Sequence, residues 1–111
     1  MAHFPQTNSS VRAARVSLRR PASIDFRVDD KGIIRGNLYV LSATGGRAQT
    51  SRAVEPGSLV ELRIGSDSGT IRGIAELLPG SQTVNGWVQP FRFVALADED
   101  YESLRKIIAA S

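Results

Sequence analysis

Arginine dominates the residues of this chain that could do chemistry. Arg12, Arg15, Arg19 and Arg20 lie close together, and no acidic residue precedes Asp25. A guanidinium is a planar fork of donors that fits a phosphate or the paired O6 and N7 acceptors of guanine. Such bonds are charge-assisted and can be bidentate, which makes them strong. Arg15 and Arg19 are separated by three residues on a segment without apolar periodicity, so both can be aimed at one ligand. Arg20 and Arg12 can add charge beside them. The second candidate is the corner from Ser42 through Ala43, Thr44, Gly45 and Gly46 to Arg47. A serine there can bond local backbone or a ligand, and paired glycines allow positive φ or close backbone approach. Arg47 can supply a further cation. An arginine arm and a serine–glycine corner would form an anion site from two separate pieces of chain. The plainer alternatives are a solvated basic tail and an ordinary turn.

Other chemistries find little support. The only histidine is His3, and there is no cysteine, which excludes disulfides and thiolate metal sites. The acidic residues Asp98, Glu99, Asp100 and Glu102 read as the start of a helix, and Asp29 and Asp30 as turn residues. No catalytic residue, metal ligand or cofactor site is expected, and the chain reads as a non-enzyme. Trp87 could stack on a base, but an isolated aromatic more often supplies packing area. The net charge is +3, and Lys31 and Lys106 are the only lysines. Non-specific nucleic-acid binding through the arginine cluster is a weak reading, because the strands lack the interleaved aromatics of single-strand binders.

These candidates must be positioned by strands. A chain of 111 residues is expected to fold as one domain. Residues 1–10 are polar and aperiodic and read as a disordered tail. Residues 11–111 form the domain, divided into an arginine-rich arm over 11–20, a barrel over 22–94 and a helix over 98–110. Ile24, Phe26 and Val28 alternate with Asp25 and Arg27, as do Val60, Leu62 and Ile64 with Glu61 and Arg63, which is the strand period. Asp29 to Gly32, Val54 to Gly57, Gly65 to Gly69 and Pro79 to Ser81 read as turns. Pro90 inside the last strand region implies an edge or a bulge. Asp98 reads as a helix N-cap, and Tyr101, Leu104, Ile107 and Ile108 form a helical stripe. The expected fold class is all-β: a small antiparallel barrel of about six strands with one C-terminal helix. No apolar run approaches the ~18 residues that span a bilayer, and no secretory signal is visible. Membrane insertion is not expected, and the expected location is the cytoplasm.

This pattern resembles the PilZ domain family. Its first motif, Arg-x-x-x-Arg before the first strand, is matched by Arg15-Val16-Ser17-Leu18-Arg19. Its second, Asp/Asn-x-Ser-x-x-Gly at a strand end, is matched at Ser42 and Gly45. The Pro–Gly turn, the aromatic strand through Phe91 and Phe93, and the closing amphipathic helix also sit where the family has them. The resemblance implies a bacterial second-messenger receptor that binds cyclic di-GMP and relays it to a protein partner. It implies ligand binding by Arg15, Arg19, Arg20, Ser42, Gly45, Gly46 and Arg47. One position departs: Val40 stands where the family has Asp or Asn, and valine accepts no hydrogen bond. Asn37 lies three positions upstream, and on a regular strand it would point to the other face. The departure gives weight to the alternative, a PilZ-type interaction adaptor without nucleotide, related to motility, pili or surface behaviour.

Overall fold

The computed structural model describes residues 2–3, 15–29, 32–67 and 69–111. Its six principal strands are β2 (Val16–Val28), β3 (Gly32–Leu41), β4 (Gly45–Thr50), β5 (Leu59–Ser66), β6 (Gly69–Leu77) and β8 (Gly86–Ala97). They pair antiparallel in the order β8-β4-β3-β2-β5-β6, and β6 pairs back to β8. The sheet is therefore a closed barrel, which leaves no unpaired edge among these six. Two short strands are extra: β1 (Ala2–His3) and β7 (Ser81–Thr83) both pair with β8. The expected all-β barrel with one C-terminal helix is thus the observed architecture.

Alternation places the core. Ile24, Phe26, Ile64, Ile71, Leu77 and Phe93 point inward and are nearly or wholly buried. Phe91 bridges Phe26 and Phe93 edge to face, with ring centroids 5.6 and 5.5 Å apart. The helix α1 (Asp98–Ala109) buries Leu104 and Ile107 and packs on β6 and β8. Its start corrects one expectation: Asp98 is already in the first turn, and Ala97 occupies the cap without a side-chain bond. The acids of that turn still complement the helix dipole. Asp100 Oδ1 also accepts the Arg72 backbone N–H at 2.9 Å, tying the helix to β6.

The proline signals resolve differently. Pro56 and Gly57 form the expected turn, with Gly57 at φ 88°. Pro90 is in neither an edge strand nor an assigned bulge; it pairs with Arg47 on β4. Its carbonyl accepts from the Leu78 N–H at 3.0 Å. In an antiparallel strand a residue's N and O face the same side. The missing donor therefore faces the gap between β6 and β7, where it breaks no ladder bond.

The N-terminal boundaries need correction too. Ala2 and His3, placed in the expected tail, pair with Ala97 and Leu96. Val16 to Arg20, placed in the expected arm, are the first part of β2. The physical reason is that β3 extends past the start of the predicted barrel strand, and its backbone groups take a partner there. The rest of the tail, and Arg12 with the start of the arm, lie outside the described residues. So do Asp30 and Lys31 of the expected turn.

The barrel rests on its aromatic centre. Phe26→Ala should destabilise it by about 3–5 kcal/mol, the range for removing a buried phenylalanine. Arg27→Ala, on the exposed face of the same strand, should stay within about 0.5 kcal/mol. Urea unfolding followed by near-ultraviolet circular dichroism measures both.

Candidate functional site

The two candidate pieces are brought together by strand pairing. Val16 and Ser17 lie opposite Leu41 and Val40. Arg15, immediately before Val16, therefore falls beside Ser42. Between Ser17 and Ala22 the register shifts, so that Leu18 to Pro21 oppose Tyr39 alone. Pro21 has no N–H to give a ladder and suits such a bulge. The bulge carries Arg19 and Arg20 to the exposed surface, while Leu18 packs against the core. Arg15 is exposed as well. Arg20 Nη1 lies 3.5 Å from Asp67 Oδ2, but both side chains are about nine-tenths exposed, so the pair contributes little.

A second irregularity lies on the other side of Tyr39. Leu38 pairs with Ala48 and Val40 with Arg47, leaving Tyr39 as the extra residue. A bulge of this kind shifts the alternation by one. Asn37 opposes Gln49, Val40 opposes Arg47, and Gln49 and Arg47 are two apart on β4. Asn37 and Val40 therefore share the outer face, which corrects the regular-strand expectation. Val40 is half-buried and lies in an outward row between Ser17 and Arg47. It is not part of the core.

The corner is built from its own hydrogen bonds. Ser42 N–H donates to Gly45 O at 2.8 Å. The Ser42 hydroxyl lies 3.2 Å from the same carbonyl and accepts from Thr44 N–H at 3.3 Å. It also lies 3.2 Å from Thr44 Oγ1. With Ser42 6% exposed, its hydroxyl chiefly holds the turn. Phe93 N–H donates to Thr44 O at 2.8 Å and fixes the corner to β8. The glycines serve close approach rather than positive φ. A Cβ on Gly45 would collide with the Phe91 carbonyl, and one on Gly46 with the Val40 carbonyl and the Phe91 ring. Arg47 is exposed on the outer face.

The pairing therefore sets Arg15 and Ser17 beside the corner that carries Arg47, whereas Arg19 and Arg20 line a groove with Ser66, Asp67 and the end of α1. Sequence reasoning gave no role to Ser17 or to the Thr44 side chain, and it set Asn37 on the face opposite Val40. Pro21 was a signal for the first bulge; nothing in the sequence marks the second. Trp87 donates its indole N–H to Gln89 Oε1 at 3.0 Å, and the fully buried Gln89 amide bonds the Leu78 and Pro90 carbonyls. That is a packing role. Among the described residues no group of three His, Cys, Asp or Glu could hold a metal ion. No described helix is long and apolar enough to cross a membrane.

Comparison with solved structures gives the same barrel. The PilZ domain with cyclic di-GMP of YcgR from Escherichia coli superposes with a TM-score of 0.73 at 22% identity, covering 92% of this chain and 91% of that one. The fold is that of a PilZ domain. The crystal structure of YcgR in complex with cyclic di-GMP, also from Escherichia coli, gives a TM-score of 0.76 at 22% identity. The Bacillus subtilis inhibitor of motility MotI/DgrA gives 0.73 at 14% identity. These two matches cover 90% and 93% of this chain but only 45% and 51% of the longer proteins. No protein-family model and no curated protein matches the chain.

The glycine requirement of this PilZ fold can be tested directly. Gly45→Ala should destabilise the barrel by about 1–3 kcal/mol or more, the scale of overpacking against immovable backbone. Alanine at the exposed Ser51 should leave stability within about 0.5 kcal/mol. Thermal and urea unfolding of the two variants provide the comparison.

Proposed function

We propose that this chain is a receptor domain for cyclic di-GMP, holding the nucleotide on the outer surface where the start of β2 meets the end of β3. The observation that supports the reading is the pairing of Val16 with Leu41, which sets Arg15 beside Ser42, with Arg19 farther along the same strand. The ligand has two phosphates and two guanines. Arg15 and Arg19 take phosphate oxygens or guanine edges through bidentate bonds. Arg20 can leave its weak pair with Asp67 for the same anion, and Arg47 adds charge from β4. Gly45 and Gly46 keep the corner low against β8, so no side chain rises at those positions. Ser42 acts by shaping the corner. The output is contact with a partner protein, which neutralisation of the arginines would alter.

The alternative is a PilZ-type adaptor that binds a protein without nucleotide. Two observations favour it: Val40 offers no acceptor in the outward row, and the Ser42 hydroxyl is already engaged within its turn. Calorimetric titration with cyclic di-GMP at physiological salt separates the readings. Saturable heat supports the receptor, and its absence supports the adaptor.

If the nucleotide binds, Arg15→Ala and Arg19→Ala should each weaken it by roughly 1.5–3 kcal/mol, the scale of a hydrogen bond to a charged group. That is about 10- to 150-fold in Kd. Both residues are exposed, so stability should barely change. Unchanged affinity in both variants would remove them from the site.

Val40→Asn supplies the missing acceptor on the outer face. It should strengthen binding by about 1 kcal/mol. Since Val40 lies outside the core, the thermal midpoint should change little. Tighter binding at constant Tm is the expected result; unchanged binding would refute the idea that Val40 replaces a ligand contact.

A further inference from the structure

Farther along β2, the outer barrel face carries a second charged surface. Two rows of side chains cross it. In one, Arg35, Asp25, Arg63 and Arg72 lie opposite one another in turn on β3, β2, β5 and β6. In the next, Ile33, Arg27, Glu61 and Ile74 do the same. Most of these charges are matched within the sheet. Asp25 Oδ1 lies 3.8 Å from Arg35 Nε, and Glu61 Oε2 lies 3.8 Å from Arg27 Nη1. Asp100, at the start of α1, is engaged by the Arg72 backbone N–H.

Arg63 lies between Asp25 on one side and Arg72 on the other, so two guanidiniums directly face each other. Neither guanidinium makes an ion pair or hydrogen bond among the described residues. Like charges directly opposite on a sheet destabilise it, so this pair works against the fold that carries it. Beside it Ile74 is 43% exposed, and across the groove Ile33 is 48% exposed. The groove over these residues encloses about 540 Å³.

We propose that this groove docks an acidic segment of a partner protein. Carboxylates of that segment bridge Arg63 and Arg72, and an aliphatic side chain rests on Ile74. Charge complementarity selects this occupant, because two facing guanidiniums match carboxylates in a fixed register. A phosphate backbone fits less well: Asp25, Glu61 and Asp100 line the same groove, and two carboxylates seated on Arg63 and Arg72 avoid them where evenly spaced phosphates do not. Exposed isoleucines also give such a polyanion nothing to bury against, whereas protein interfaces combine an apolar centre with a charged rim. The surface shares no residue with the arginine bulge or the Ser42 corner, so the inference does not depend on the nucleotide reading.

The test adds a short synthetic peptide of alternating glutamate and leucine to the isotopically labelled full chain and follows backbone amide shifts. Controls replace every glutamate by lysine or every leucine by serine. Saturable shifts centred on Arg63, Arg72 and Ile74 are expected with the glutamate–leucine peptide. The serine control should bind several-fold more weakly, and the lysine control not at all. An Arg63→Thr/Arg72→Thr double variant should weaken the peptide by at least about 10-fold. Its Tm should be equal or higher, because the like-charge contact is gone. Its titration with cyclic di-GMP should match that of the unmodified chain, whether or not binding occurs. Shifts located elsewhere, unchanged binding by the double variant, or equal binding of the serine control would overturn the proposal. So would dilution-dependent shifts in the groove, which would assign this face to a second copy of the chain.

Discussion

Everything in this molecule hangs on the double pairing of β8. One edge of that strand bonds β4 and the other bonds β6, and this closes six strands into a barrel. Closure removes the open edge that a sheet this small would otherwise expose. It also sets severe steric conditions. Gly45 and Gly46 must let β4 approach the Phe91 backbone and ring, and Gly73 must admit the Leu96 side chain. Pro90 is accommodated because its missing donor faces the gap between the short and long partners of β8. The Thr44 carbonyl is bonded by Phe93, so the corner beside the arginines is as fixed as the closure itself.

The display of charge then follows from two defects in an otherwise regular barrel. The bulge opposite Tyr39 on β2 carries Arg19 and Arg20 to the exposed surface while the half-buried Leu18 packs against the core. The bulge at Tyr39 against β4 turns Val40 outward into the row with Ser17 and Arg47. Regular strands would have divided these residues between the two faces. Irregular backbone therefore decides which cations reach the outer surface, Arg15 and Arg47 near the Ser42 corner and Arg19 and Arg20 toward Asp67 and the end of α1. The regular part of the barrel supplies the rigidity behind them. Farther along, the same outer face returns to strict alternation. There the cross-strand register alone decides which charges meet, and it leaves Arg63 against Arg72.

Much of the fold was legible because it is written in short-range pattern. The alternation in Ile24–Val28 and Val60–Ile64, the Pro56–Gly57 turn and the stripe from Tyr101 to Ile108 each reflect a local period. The arginine spacing and the Ser–Gly corner were equally local, and they carried the resemblance to PilZ domains. The errors came where a local rule met a distant partner. Val16 to Arg20 lack apolar periodicity, yet they form strand because β3 presents backbone to them. Asn37 and Val40 are three apart, yet they share a face because β4 and β3 differ by one residue in register. Asp98 has the chemistry of a cap, but β8 runs directly into the helix and Ala97 occupies that position.

The sequence by itself determined the class of the molecule: an all-β barrel with a closing helix, rich in exposed arginine and supplied with two motif fragments. Hydrophobic period, turn residues and charge placement suffice for that, because each acts over a few residues. Only the tertiary structure decided what the fragments do. It showed that Ser42 spends its hydroxyl on its own turn and that the glycines serve strand approach. It also showed that Val40 faces outward and that Arg63 meets Arg72, neither of them in an ion pair among the described residues. Register, bulges and closure join residues far apart in the chain, and no periodicity within one segment encodes which partner a side chain will face.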